Sequence, residues 1–225
     1  DGAIARLGDN GTVLGARSVT FTGVANTANR ALFVQGLSQG TTTLTVSAPG
    51  YATNTQTITV DPSGFVIFLP GVINTNTFAA NSTLQITPAR LRPGTLDFDV
   101  NQQVRGGLTA DVPITTSDTN VGSITASPVT FGPGVGLLTP GFDPANAATT
   151  TISVGTPAGF DTPNNLRQIT ATVTAPLISV PSNPRVGEDL QDVFSLSLGT
   201  APPSPVDITV TVASGTIARV SDNAT

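Results

Sequence analysis

Apolar and polar residues alternate with a period of two along most of this 225-residue chain. That spacing puts successive side chains on opposite faces of a strand. Leu44, Val46 and Ala48 alternate with Thr and Ser, and Ile58 and Val60 continue the pattern. It recurs at Leu96, Phe98 and Val100; at Val112 and Ile114; and at Ile152 and Val154. Further sets are Ile169, Ala171 and Val173; Phe194, Leu196 and Leu198; and Ile208, Val210 and Val212. Turn signals separate the runs at Asp9-Asn10-Gly11, Asp61-Pro62-Ser63-Gly64, Arg92-Pro93-Gly94, Gly132-Pro133-Gly134 and Ala201-Pro202-Pro203. No amphipathic helix stands out. The pattern predicts an all-β chain of sandwich architecture, with most of the phenylalanines, Phe131 among them, at core positions.

The chain repeats itself. Val19-Thr20-Phe21 recurs as Val129-Thr130-Phe131. The stretch from Thr43 to Tyr51 (TLTVSAPGY) matches that from Thr151 to Phe160 (TISVGTPAGF) with one insertion, and an Ile-Thr strand follows each. Arg92-Pro93-Gly94 matches Arg185-Val186-Gly187, and Gly-x-Ile occurs at Gly2, Gly122 and Gly215. Residues 2–12 and 215–225 are identical at seven of eleven positions, 213 residues apart. Three segments follow. Residues 64–174 make one complete repeat, 1–63 the C-terminal part of a repeat and 175–225 the N-terminal part of the next. A complete repeat of this length fits the ~100 residues of an immunoglobulin-like sandwich. A partial sandwich leaves its sheet face uncovered. The expectation is therefore either a window onto a longer tandem array or chains that complete one another head to tail. The segment Gly71–Ala89 is longer than its counterpart before Arg185 and is expected to be an extra edge hairpin or an inter-repeat contact.

These residues resemble bacterial immunoglobulin-like (BIG-type) repeats. The resemblance is carried by ITTSDTNVGSI at 114–124, by PVTF at 128–131 and by VQGLSQGTTTLTVSAPGY at 34–51. It implies tandem immunoglobulin-like β-sandwich repeats in a linear array, at an extracellular or cell-surface location, with no catalytic residues to carry over.

Composition narrows the chemistry. Cys, His, Met, Trp and Lys are absent, so the nine basic residues are all arginine. Without His, Cys or Lys the common Ser-His, Cys-His and Ser-Lys nucleophile pairs cannot be built from these residues, nor can His or Cys zinc sites. Scattered arginines and a net charge of −5 give no phosphate-binding patch. No apolar run reaches the ~20 residues of a membrane helix. With 37 threonines and only 10% charged residues, the wet faces are hydroxyl-rich and almost neutral.

Candidate sites are few. Asp97 and Asp99 flank Phe98 and are expected on a solvated strand face rather than as a glycosidase pair. Glu188, Asp189 and Asp192, near a repeat start, and Asp61, at a repeat junction, are the candidates for calcium. Sequons at Asn10, Asn81 and Asn223 are candidates for glycosylation. Tyr51 aligns with Phe160, which predicts a structural ring. Loops at Gly132–Ala148 and Gly159–Asn165 are the candidates for ligand contact. The expected role is a non-catalytic component of an extracellular filament, sheath or stalk, self-associating head to tail without any cofactor. The alternatives are a ligand-binding adhesin region or accessory domains of a secreted enzyme.

Overall fold

A computed structural model describes residues 2–221. Every regular element in them is a strand, and no helix occurs among the described residues. The chain divides into two compact units, Asp1–Ala175 and Pro176–Thr225.

The first unit opens with two ladders. Strands β1 (Ala5–Gly8) and β2 (Phe33–Gly36) pair antiparallel. So do β3 (Gly40–Val46) and β4 (Asn54–Val60), in the register Gly40–Val60, Thr42–Ile58 and Leu44–Gln56. Two short ladders bury little: over residues 2–62 only Ala5, Gly8 and Gln35 are fully buried, with Pro62 where the next strand begins.

Twelve strands follow: β5 (Ser63–Leu69), β6 (Val72–Asn76), β7 (Ser82–Thr83), β8 (Gln85–Leu91), β9 (Phe98–Asn101), β10 (Ala110–Val112), β11 (Ile114–Thr116), β12 (Gly122–Ile124), β13 (Val129–Phe131), β14 (Gly141–Pro144), β15 (Ala148–Val154) and β16 (Gln168–Thr174). They form two layers. In one, β8 lies between β5 and β9, and Ile86 bridges to Leu138, which leads into the β12-β14-β7 ladder. The other has the order β11-β15-β16-β6, with β6 parallel to β16. The connection between β5 and β6 passes through a cis Leu69-Pro70 bond, and Pro113 separates β10 from β11. Proline has no amide hydrogen to give a ladder, so the chain changes partner there: β10 pairs with β13 and β11 with β15.

The core lies between the layers. Phe65, Ile67, Leu84, Ile86 and Phe142 meet Ile114, Ile152, Ile169, Ala171 and Val173. Phe65 packs on Phe131 at a centroid distance of 5.0 Å and on Phe160 at 4.8 Å. Phe131 is fully buried, as the alternation predicts. A satellite cluster of Val66, Ala89 and Leu91 is covered by Leu96 and Phe98 on the outer face of β5 and β8.

Three expectations need correction. Residues 71–89 are no added hairpin: they supply β6, β7 and most of β8, including the core residues Ile73, Leu84 and Ile86. Phenylalanine is not mostly a core residue, since five of the ten, Phe21, Phe33, Phe68, Phe78 and Phe194, are exposed. The alternating runs at 194–198 and 206–212 predict two strands, but among the described residues of the second unit only the short pair β17 (Ile178–Ser179) and β18 (Ser197–Leu198) forms. No residue of 176–221 is buried. A strand without a covered face and a paired edge has nothing to offset its ordering entropy.

Candidate functional site

The structure places the sequence candidates in separate neighbourhoods. Asp99 lies on β9 opposite the long side chain of Arg90 on β8. Arg90 donates to Asp99 Oδ2 from Nε at 2.9 Å and from Nη2 at 2.6 Å. Arg92 Nε lies 3.6 Å from Asp99 Oδ1, and Asp61 Oδ2 lies 3.8 Å from Arg90 Nε. The hydrogen bonds from Arg90, with the charges of Arg90 and Arg92, hold the Asp99 carboxyl below its ordinary range against a smaller opposing effect of desolvation. Asp99 is therefore an ionised anchor for two arginines. Its neighbour Asp97 accepts a hydrogen bond from Asn164 Nδ2 at 3.1 Å. Both carboxylates are half-buried and partnered, not simply solvated.

Asp61, a calcium candidate, thus faces a guanidinium. Glu188, Asp189 and Asp192 are exposed in the second unit. Among the described residues no three carboxylates converge. The sequon residues Asn10 and Asn81 are exposed. Asn10 Oδ1 accepts from the Thr12 amide at 2.9 Å and the Thr12 hydroxyl at 2.8 Å. Asn223 lies outside the described residues.

The ligand-loop candidates are built into the scaffold. Within 132–148, Gly141–Pro144 is a strand, β14, and Phe142 is fully buried. Its one-in, one-out pattern carried the signal for a strand, hidden among Gly and Pro. The stretch 159–165 is pinned as well. Phe160 packs on Phe65, the Asp161 amide donates to the Ser63 carbonyl at 2.7 Å, and Asn165 Oδ1 accepts from the Phe98 amide at 2.8 Å. Tyr51, the counterpart of Phe160, is 80% exposed instead of structural. Phe160 has the β5 residue Phe65 beneath it, and residues 2–62 contain no counterpart of β5.

Sequence reasoning missed the joint between residues 2–62 and the sandwich. Gly106 and Gly107 lie against Val13 and Leu14, and a Cβ on Gly106 would collide with the Val13 carbonyl. Gln35, a buried side chain, donates to that carbonyl at 2.8 Å and accepts from the Gly15 amide at 2.9 Å. Beside the joint runs an open groove of about 900 Å³, lined by Phe33, Gln39, Asp61, Arg90, Arg105 and Asp161 among others. Gln39 Nε2 spans it to Asp161 Oδ2 at 2.9 Å. Its charged groups are of both signs. Only the adjacent Gly106-Gly107 dipeptide hints at this close approach in the sequence.

No protein-family model matches this chain. No curated protein matches it either. Among solved structures, domains 4 and 5 of the surface-layer protein SbsC are similar at 18% identity and a TM-score of 0.37, over 63% of this chain and 69% of that one. A longer structure of SbsC domains 1–6 is similar at 14% identity and a TM-score of 0.34, over 78% of this chain and 21% of that one.

Proposed function

We propose that this chain is a non-catalytic structural element of an extracellular filament, sheath or cell-surface stalk, built from tandem immunoglobulin-like repeats of the bacterial type. One observation carries the reading: the same strand pairings recur along the chain in the same order. The β3–β4 ladder has the register of β15–β16. Thr42 faces Ile58 as Thr150 faces Ala171, and Gly40 faces Val60 as Ala148 faces Val173. The preceding pair β1–β2 stands to it as β12–β14 stands to β15–β16. In the second unit, β17 pairs with β18 across the loop carrying Arg185, as β8 pairs with β9 across the loop carrying Arg92.

The layer order of residues 63–174 supports an immunoglobulin-like assignment. The β11-β15-β16-β6 sheet faces the layer of β5, β8 and the β12-β14-β7 ladder across one apolar core, as the two sheets of an immunoglobulin-like sandwich do. Repeats that touch mainly their sequence neighbours make a stiff linear spacer. Surfaces rich in Thr and poor in charge allow such spacers to pack side by side. The partnered carboxylates and pinned loops match a scaffold better than a reaction centre.

The test is immunogold electron microscopy of unpermeabilised cells that express the parent gene, using antibody against residues 64–174. Regular labelling along a surface filament or sheath is expected. Label confined to the cell interior would overturn the reading.

A further inference from the structure

The second unit contains a copy of a strand that the sandwich covers. Val206-Asp207-Ile208-Thr209-Val210-Thr211 aligns with Ala110-Asp111-Val112-Pro113-Ile114-Thr115. In the sandwich Val112 is 0% and Ile114 is 2% exposed, whereas Ile208 is 40% and Val210 is 51% exposed. The strand that pairs with β11 is β15, in the register Ile114–Val154, Thr115–Ser153 and Thr116–Ile152. The copy of β15 is β3, with Leu44, Thr45 and Val46 in place of Ile152, Ser153 and Val154. β3 belongs to a two-stranded ladder, and its Val46 is exposed.

We propose that residues 206–212 are a docking strand for β3 of a second copy of this chain. The register is Val210 with Val46, Thr211 with Thr45 and Val212 with Leu44. The β3–β4 hairpin of one copy then closes a sandwich over residues 176–221 of the other. This rests on the repeat reading above. Charge favours the same occupant. Residues 1–60 carry Arg6, Arg17 and Arg30 against Asp1 and Asp9, while 176–225 carry Glu188, Asp189, Asp192, Asp207 and Asp222 against Arg185 and Arg219. Backbone ladder bonds supply affinity in such strand addition, and alternate side chains supply register. Donor and receiver are different surfaces, so the contact is heterologous and propagates head to tail.

The chain has no cysteine, so single cysteines report the contact directly. Full-length Thr45→Cys and Thr211→Cys chains are mixed and oxidised, with Thr41→Cys replacing Thr45→Cys as the register control. Directly opposed residues on paired strands approach closely enough for a disulfide. A covalent Thr45→Cys/Thr211→Cys heterodimer is expected at about tenfold the yield of the control. Equal yields, or none, overturn the docking. Hydrogen exchange on unmodified chain separates this from failure of the repeat reading. Slow exchange in β15–β16 with fast exchange at 40–46 and 206–212 would sink the docking alone. Fast exchange in β15–β16 as well would sink both.

Discussion

The hydroxyl of Thr150 shows how a threonine-rich core edge is kept satisfied. It is buried, yet it meets the Thr116 hydroxyl at 2.6 Å, the Ser117 hydroxyl at 3.0 Å and the Asp118 amide at 3.0 Å. Thr150→Val keeps the shape but leaves the Asp118 amide without its acceptor and removes two hydroxyl contacts, so it should cost about 1–3 kcal/mol in urea unfolding. Phe131→Ala removes a fully buried ring that packs on Phe65. The expected loss is about 3–5 kcal/mol by the same assay, and a loss under about 1 kcal/mol would contradict the core assignment. Asp99 gives a pH signature. Its folded-state pKa is lowered, so the folded chain binds fewer protons than the unfolded one at acid pH. The stability it contributes is complete above the unfolded value of about 3.9 and is lost as pH falls through the lower folded value. Urea midpoints of the wild type and Asp99→Asn should therefore differ near neutral pH and converge in acid.

At the scale of elements, alternation was legible wherever a strand found a partner and a cover. Strands form at 44–46 and 58–60, where β3 and β4 pair with each other, and at 152–154 and 169–173, where the apolar faces also meet the other layer, while the 112–114 run is split at Pro113 into β10 and β11. The runs at 194–198 and 206–212 carry an equally clear pattern, but only β18 forms there. Pairing, not propensity, separates the two groups. The sheet crossing between β5 and β6 was not legible, because Pro70 marks a break without naming the partner on either side of it. The Gly-x-Ile motif does not mark one ladder position: Ile4 precedes β1, in which Leu7 stands opposite Val34, whereas Ile124 lies in β12 opposite Phe142. The glycine joint belongs to this scale. Gly106→Ala should push the Val13 carbonyl and Gln35 away and raise hydrogen exchange at Arg6–Gly8. Protection of β15 and β16 should be unchanged.

For the whole molecule, stability is concentrated in residues 64–174. Almost the entire core lies there, with no disulfide to assist it. A fragment of those residues should unfold cooperatively by itself when followed by circular dichroism against urea. An isolated 1–63 fragment should not, because its two ladders have no facing layer. A sharp transition in the 1–63 fragment would contradict the partial-repeat description.

The sequence by itself determined the strand class, the internal repeat and the absence of His, Cys and Lys chemistry. These depend on residue type and on spacing along the chain, which need no partner to be read. Only the tertiary structure decided which runs become strands, that Asp99 holds Arg90 and Arg92, that 141–144 is a core strand and that Gly106 admits the Val13 carbonyl. Each of these depends on what lies across a ladder or a layer, and residues far apart in sequence supply it.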